Sequence, residues 1–145
     1  IQDYGSDEIK TTFDYFFAMG EVLDLDNFVS EFGDRTRMMR EWNLFLAEYP
    51  LVLTPFYMNK LYDWDYDLQS FESCKDFLQA STYSMAIYYL GLPAGVAATG
   101  LVGGRPSAIQ LVGQRYREDV ICDALEAIQE RTGRLTDLLW ARDQA

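Results

Sequence analysis

The sequence shows no arrangement of side chains that is typical of acid–base or nucleophilic catalysis. It contains no histidine, and so it lacks the commonest general base and the commonest metal ligand of proteins. A serine or cysteine nucleophile would then need a lysine or carboxylate base within hydrogen-bonding reach. The lysines are Lys10, Lys60 and Lys75, and none lies in a Gly/Ser-rich segment. We therefore predict no catalytic residue, no cofactor and no metal site within this chain.

Three aspartates alternate in an acidic and aromatic loop, at Asp63, Asp65 and Asp67. A calcium-binding loop begins in this way, but it also needs glycine at its sixth position and glutamate at its twelfth. Those positions hold Leu68 and Cys74. We therefore interpret the segment as a solvated acidic loop with aromatic side chains packed beneath it.

Two further groups of residues have both a structural and a functional interpretation. The glycines between positions 100 and 104 lack the lysine of a phosphate-binding loop and the spacing of a dinucleotide site, which favours a turn between strands. Tyr83, Tyr88 and Tyr89 could line a pocket. Their spacing alone favours core packing in which each hydroxyl finds a partner.

Composition and charge limit the classes of partner. The chain has 145 residues, 49% of them hydrophobic and 15% aromatic, which is enough for one unit with its own core. Its net charge of −11 argues against nucleic acid and against an anionic membrane surface. Two distant cysteines, Cys74 and Cys122, suit a reduced cytoplasm in which both thiols are buried. The start at Ile1, without an initiator methionine, indicates a processed end or a cut inside a longer protein.

Hydrophobic spacing predicts an α/β arrangement of helices and short strands. The predicted helices cover 7–19, 24–48, 71–79, 82–90 and 117–132. The predicted strands cover 49–55, 94–99 and 107–113. Asp24 or Asp26 is a suitable cap for the second helix, and Gly33 is a point where that helix could divide. The apolar run 49–55 suits a central strand that is covered on both faces.

The second helix carries one apolar stripe at three- and four-residue steps. Its members are Phe28, Phe32, Met39, Trp42 and Leu46. Such a stripe predicts the face with which the helix packs on the core.

Four segments resemble, in order and spacing, the C-terminal part of an amidase-signature hydrolase. They are REWNLFLAEYPLVLTPF, STYSMAIYYLGLPAGVAAT, GRPSAIQLVG and QRYREDVICDALEAIQ. They lie within residues 35–133. The resemblance implies the C-terminal part of the mixed-sheet amidase-signature fold, with a few central strands covered by helices and residues 1–145 forming a single unit.

The resemblance also implies a function and explains the missing histidine. Amidase-signature enzymes cleave carboxamides with a serine nucleophile, a second serine in a cis peptide bond and a lysine, all in an N-terminal Gly/Ser-rich segment that nothing here matches. We therefore expect a fragment, subunit or processed half of an amidase that is not catalytically complete alone. Its partners would be the N-terminal catalytic half and a small amide substrate. Without that half, we expect exposed apolar surface and a tendency to form homo-oligomers.

By the same resemblance, the helix before Gly91 contributes to the substrate pocket. The substrate-facing candidates are Tyr83, Ser84, Ile87 and Tyr88, followed by Thr54 and Tyr57 after the first strand. Many members carry an aspartate near position 81 and an asparagine near position 88, and this chain has neither, which argues against an acidic-amide or aminoacyl-tRNA substrate. The loop 59–67 replaces a proline-rich family segment, and we expect it to act as a substrate lid.

Two other interpretations remain open at the level of sequence. One is an amidase-like module that has lost catalysis and binds a partner as a scaffold. The other is a structural subunit without a ligand. Under the first interpretation, as part of an amidase, the sequence does not identify which amide the whole enzyme would cleave.

Overall fold

The computed structural model describes residues 3–143, which form helices on a three-stranded sheet. The helices are α1 (Asp7–Met19), α2 (Leu25–Glu48), α3 (Phe71–Ala80), α4 (Thr82–Leu90), α5 (Glu118–Thr132) and α6 (Leu135–Asp143). The strands are β1 (Leu51–Pro55), β2 (Ala94–Val102) and β3 (Arg105–Gly113). This mixture of elements confirms the α/β class. The start at Ile1 and the last two residues of the chain lie outside the described residues.

The predicted helices are present within about a residue of their expected bounds, and α6 is an addition, since its sequence had no element assigned to it. The α2 helix begins where Asp24 Oδ1 accepts a hydrogen bond from the Asn27 amide at 2.8 Å, which is a standard N-cap. The predicted break at Gly33 is wrong, because α2 continues unbroken to Glu48. One glycine in a helix interior costs only about 1 kcal/mol, and 24 residues of helix outweigh it.

The sheet has the order β1–β3–β2, and both pairings are antiparallel. Among the described strands there is no parallel pair, and the mixed sheet of the whole amidase-signature fold stays a prediction. One expectation is corrected. The β1 strand lies at an edge rather than in the centre, and Leu53 is 63% exposed. The reason is that β3 pairs on both sides and takes the central place.

The β2–β3 hairpin is longer than predicted. Its turn is confined to Gly103 and Gly104, which both have positive φ, of 60° and 79°. This conformation suits the tight hairpin turns that favour glycine. Pro106 lies within β3 opposite Leu101, beyond the part of β3 that pairs with β1. Its missing amide therefore removes no bond to β1, and the strand extends through a residue that normally ends one.

Helices cover the two faces of the sheet. On one face, Ile121 of α5 lies against Gly95 and Gly113. On the other, Val112 packs in a cluster with Leu46 of α2, with Ile87 and Leu90 of α4, and with Leu92, two residues after that helix. Neighbouring residues of a strand point to opposite faces, so Val112 and Gly113 join the two layers.

The end of α4 is held by two arginines. Arg115 donates to the carbonyls of Leu90 at 3.1 Å and Gly91 at 3.2 Å, and Arg35 donates to the carbonyl of Tyr89 at 2.6 Å. These carbonyls have no partner inside the helix, and the negative end of the helix dipole favours cations there. Gly91 adopts φ of 62°, which ends the helix and turns the chain into β2. The Gly-Leu-Pro segment therefore fixes α4 relative to the sheet.

The two cysteines are free. Cys74 is buried in α3, whereas Cys122 is exposed on α5, which corrects the expectation that both thiols are buried. Position 122 follows Ile121, which is the residue of α5 that faces the sheet, and so its own side chain turns away. None of the helices within residues 3–143 combines the length and apolarity that a bilayer crossing requires.

Replacing Gly95 with valine is expected to lower the free energy of unfolding by about 1–3 kcal/mol. A Cβ atom at this position would lie 2.4 Å from Leu125 Cδ1 and 2.9 Å from Ile121 Cγ2, so α5 would have to move away from the sheet. Urea denaturation followed by circular dichroism measures the effect. Gly33→Ala is the control, because a Cβ there meets nothing within 4 Å and alanine should stabilise the helix by about 0.5–1 kcal/mol. Equal stability of the two variants would contradict the prediction.

Candidate functional site

Two hollows adjoin each other where the chain leaves β1. The first, of about 370 Å³, lies between this segment and the β2–β3 hairpin. The second, of about 400 Å³, lies between the same segment, the following loop and helices α3 and α4. They share Phe56, Tyr57 and Leu61 as lining residues. We call the second the aromatic hollow, and each has a volume typical of small-molecule sites.

Aromatic rings make up much of the wall of the aromatic hollow. The rings of Tyr62 and Tyr66 are stacked with centroids 4.0 Å apart, and Tyr57 meets Tyr62 edge-on at 6.0 Å. Phe77 of α3 lies 6.1 Å from Tyr57, measured between ring centroids. Such a wall suits a flat, apolar ligand group, because aromatic rings gain contact energy in offset and edge-to-face arrangements.

Asp76 holds this aromatic cluster in place. Its Oδ2 atom accepts hydrogen bonds from the hydroxyls of both Tyr62 and Tyr66, the latter at 3.1 Å. Asn59 Nδ2 donates to the Tyr62 hydroxyl at 2.9 Å. Burial, followed by the hydrogen bond to Asp76, raises the pKa of Tyr62 and of Tyr66 above the ordinary value. One carboxylate on α3 therefore fixes two rings of the loop.

A second contact fixes the same loop to the hairpin. Arg105 Nη2 lies 2.5 Å from Asp63 Oδ1, and Arg105 Nη1 donates to the carbonyl of Leu61. The loop is thus bound at one place to α3 and at another to β3. Of the three alternating aspartates, Asp63 is therefore part of an ion pair, which agrees with the interpretation of the segment as an acidic loop.

The Tyr57 hydroxyl is the polar group most in need of a partner in this region. It is buried and makes no hydrogen bond of good geometry with any residue from 3 to 143. Burial, with smaller contributions from Tyr62 and Asp76, raises the pKa of Tyr57 from 10.0 to about 12. A buried hydroxyl without a partner is uncommon in proteins, so Tyr57 has hydrogen-bonding capacity that the described residues leave unused.

Three of the substrate-facing residues expected from the sequence lie in or beside these hollows. Tyr57 and Ser84 line the aromatic hollow, and Ser84 Oγ donates to the carbonyl of Phe56 at 2.6 Å. Thr54 lies in β1, just before the residues that line the aromatic hollow. Its Oγ1 accepts a hydrogen bond from the buried Gln110 amide at 3.1 Å. The bond from Ser84 joins α4 to the segment after β1.

The other three expected residues lie elsewhere on α4. Ile87 is buried in the cluster with Leu46 and Val112. Tyr83 is partly exposed, and Tyr88 is 87% exposed. The residues that line the aromatic hollow do not include Tyr83, Tyr88 or Ile87. Contact between these three residues and a substrate stays a prediction. For Tyr83 and Tyr88 it would need a further protein segment that encloses a pocket beside them.

Sequence reasoning did not single out Asp76, Tyr62, Tyr66 and Phe77. Asp76 and Phe77 lie in a helix that was predicted, but nothing in the helix pattern shows that they face the loop. The nearest signal was the combination of tyrosines and aspartates in segment 59–67. Tyrosine hydroxyls need acceptors when they are buried, and a carboxylate is a strong one.

Tyr57 should make the protein less stable at alkaline pH. In the unfolded chain it loses its proton near pH 10.0, whereas the folded chain keeps it up to about 12. The stability it contributes is therefore present below pH 10 and is lost as the pH rises through this window. Tyr57→Phe should reduce the decline of the urea midpoint between about pH 9 and about pH 11.5. Tyr88→Phe, at an exposed position, is the control, and an unchanged decline in Tyr57→Phe would contradict the assignment.

Comparisons with known proteins identify two relatives, both named indoleacetamide hydrolase. The protein from Bradyrhizobium japonicum is 38% identical over 120 residues, which cover 82% of this chain and 26% of that protein. The protein from Bradyrhizobium diazoefficiens is 34% identical over 136 residues, which cover 93% of this chain and 26% of that protein. No family model matches the chain. The chain is therefore similar to about a quarter of the length of two amide hydrolases.

Proposed function

We propose that this chain is the C-terminal, pocket-forming part of an amidase whose serine, cis-serine and lysine lie outside residues 1–145. The observation that carries the proposal is the similarity of 82–93% of the chain to two indoleacetamide hydrolases, of which the matched part is only 26%. In the whole enzyme, the serine attacks the carboxamide carbonyl and expels the amine, and water then hydrolyses the acyl-enzyme. This part supplies strands, covering helices and one wall of the pocket.

The aromatic hollow supports a substrate with a flat ring. The relatives are named for indoleacetamide, in which a primary carboxamide is joined to an indole ring. Tyr57, Tyr62, Tyr66 and Phe77 form a wall against which such a ring can pack. The Tyr57 hydroxyl can take a hydrogen bond from a ring nitrogen or a water molecule. We therefore propose that an arylacetamide is the class of substrate.

A chimera tests the proposal. The matching quarter of the Bradyrhizobium japonicum protein is replaced by this chain, and the release of ammonia from indoleacetamide is measured. We expect turnover by the chimera. A folded chimera without turnover, beside an active parent, would contradict the proposed function.

Trimming the loop 59–67 should change the substrate range of the same chimera. The loop provides two of the four rings of the wall, and so its loss should raise KM for indoleacetamide relative to a small aliphatic amide. Trp64→Ala is the control, because Trp64 lies in this loop but is almost fully exposed. The ratio of kcat/KM for the two amides is the measurement. An unchanged ratio would contradict the prediction that the loop 59–67 acts as a substrate lid.

A further inference from the structure

The apolar stripe of α2 is covered along only half of its length. Phe28, Phe32, Met39 and Leu46 follow one another at steps of four and seven residues, which places them on one side of the helix. Met39 and Leu46 pack in the core with α4 and β3. Phe28 and Phe32 are 56% and 58% exposed. The same stripe therefore continues beyond the part of the chain that covers it.

More apolar side chains enlarge this surface. Leu25 and Val29 lie on the same side of α2 and are also exposed, as is Val22 just before the helix. We call Val22, Leu25, Phe28, Val29 and Phe32 the α2 apolar face. Single exposed apolar residues are ordinary, but a contiguous group on one helix is typical of a surface that binds another protein segment.

One end of the α2 apolar face is connected to α4 through Arg35. The Arg35 guanidinium lies over the ring of Phe32 at 5.8 Å and over that of Tyr89 at 5.5 Å. Its Nε donates to the Tyr89 carbonyl at 2.6 Å. The face is therefore continuous, through Phe32 and Arg35, with the helix whose other side reaches the aromatic hollow.

Charge decides which kind of partner the face can take. Segment 21–34 holds five acidic residues, all exposed, and no lysine or arginine. The nearest cations are already engaged, since Arg35 caps α4 and Arg37 pairs with Asp34 and Glu41. Two copies that met through this face would bring like charges together, at a cost in free energy. The complementary partner has an apolar groove with lysine or arginine along its rim.

We propose that the α2 apolar face docks in the remaining, catalytic part of the amidase, which presents such a groove. This inference rests on the proposed function, because the relatives contain about three quarters of a chain that residues 1–145 do not match. Docking at this place also fixes α4, and through it Ser84 and the aromatic hollow, relative to the catalytic residues.

Thiol labelling tests the proposal directly. In a Cys122→Ser background, where the remaining Cys74 is buried, Phe28→Cys and Phe32→Cys each place one reactive thiol on the face. Ser30→Cys is the matched control, because position 30 is exposed on the opposite side of the helix. The full chain is labelled with a maleimide, alone and after mixing with the unmatched three quarters of the Bradyrhizobium japonicum protein, and indoleacetamide hydrolysis is recorded in parallel.

With the partner at about ten times its Kd, labelling of Phe28→Cys and Phe32→Cys should slow about tenfold, while Ser30→Cys keeps its rate. Unchanged labelling of both variants overturns the docking surface. If such a mixture still hydrolyses the amide, the proposed function stands without this surface, whereas slowed labelling without hydrolysis supports docking and contradicts the function. Labelling that slows with the concentration of this chain alone would assign the face to a second copy and overturn the proposal.

Discussion

Replacing Leu46 with alanine is expected to lower the free energy of unfolding by about 2–5 kcal/mol. Leu46 is completely buried at the point where α2 meets Ile87, Leu90 and Val112. Removing three carbon atoms there loses their transfer free energy and leaves a cavity that the helix and strand on either side cannot fill. Because a whole domain is stable by only about 5–15 kcal/mol, this loss is a large fraction of the total.

Urea denaturation of the full chain, followed by circular dichroism, measures this loss. Leu44→Ala is the matched control, since it removes the same atoms from the same helix at a position that is 59% exposed. The control should change the free energy of unfolding by at most about 0.5 kcal/mol. A loss in Leu46→Ala no larger than that of the control would show that α2 does not pack on the sheet as described.

Replacing Asp76 with alanine is expected to release the loop that forms the aromatic hollow. Tyr62 and Tyr66 both donate to Asp76 Oδ2, so a single substitution removes two hydrogen bonds and leaves two hydroxyls without their acceptor. The expected cost is about 1–3 kcal/mol, concentrated in the loop rather than in the sheet. The remaining tie between Arg105 and Asp63 is exposed and holds the loop only weakly.

Limited trypsin digestion reports this change, because Lys60 is an exposed cleavage site within the loop. Cleavage after Lys60 should become faster in Asp76→Ala and less so in Asp76→Asn, whose amide oxygen still accepts one hydrogen bond. Asp123→Ala is the control, because Asp123 is exposed on α5. Equal cleavage rates in Asp76→Ala and Asp123→Ala would contradict the role given to Asp76.

Local sequence determined the helices far better than it determined the sheet. The α2 helix is specified by Asp24 at its cap and by apolar residues at helical steps, which are properties of neighbouring residues. The edge position of β1 depends on β3, some 55 residues later, which pairs with it and with β2. Pattern alone cannot reveal which of several apolar runs takes the central place.

The candidate site was predictable only in part, for a similar reason. Tyr57 and Ser84 were expected near a substrate, and both line the aromatic hollow. Ile87 is one helical turn from Tyr83, and it lies in the core because α2 covers that side of α4. Asp76 became visible only when the fold brought α3 against the loop. Such contacts between distant segments have no local signature in one sequence.

The exposed half of the α2 stripe is the surface through which we propose that this chain binds the catalytic part of the enzyme. A helix pattern that extends beyond its own core predicts a neighbour, and the relatives are long enough to supply one. The same neighbour would bring the catalytic serine and lysine that we propose to lie outside this chain. Stability, pocket and catalysis would then all depend on one interface.

We propose that the catalytic groups lie outside this chain. The release of ammonia from indoleacetamide by purified residues 1–145 alone, compared with buffer and with the active parent of the chimera, tests this proposal. We expect no release above buffer, since the chain contains no histidine and no lysine in a Gly/Ser-rich segment. Turnover by the purified chain, retained after repeated chromatography, would contradict it.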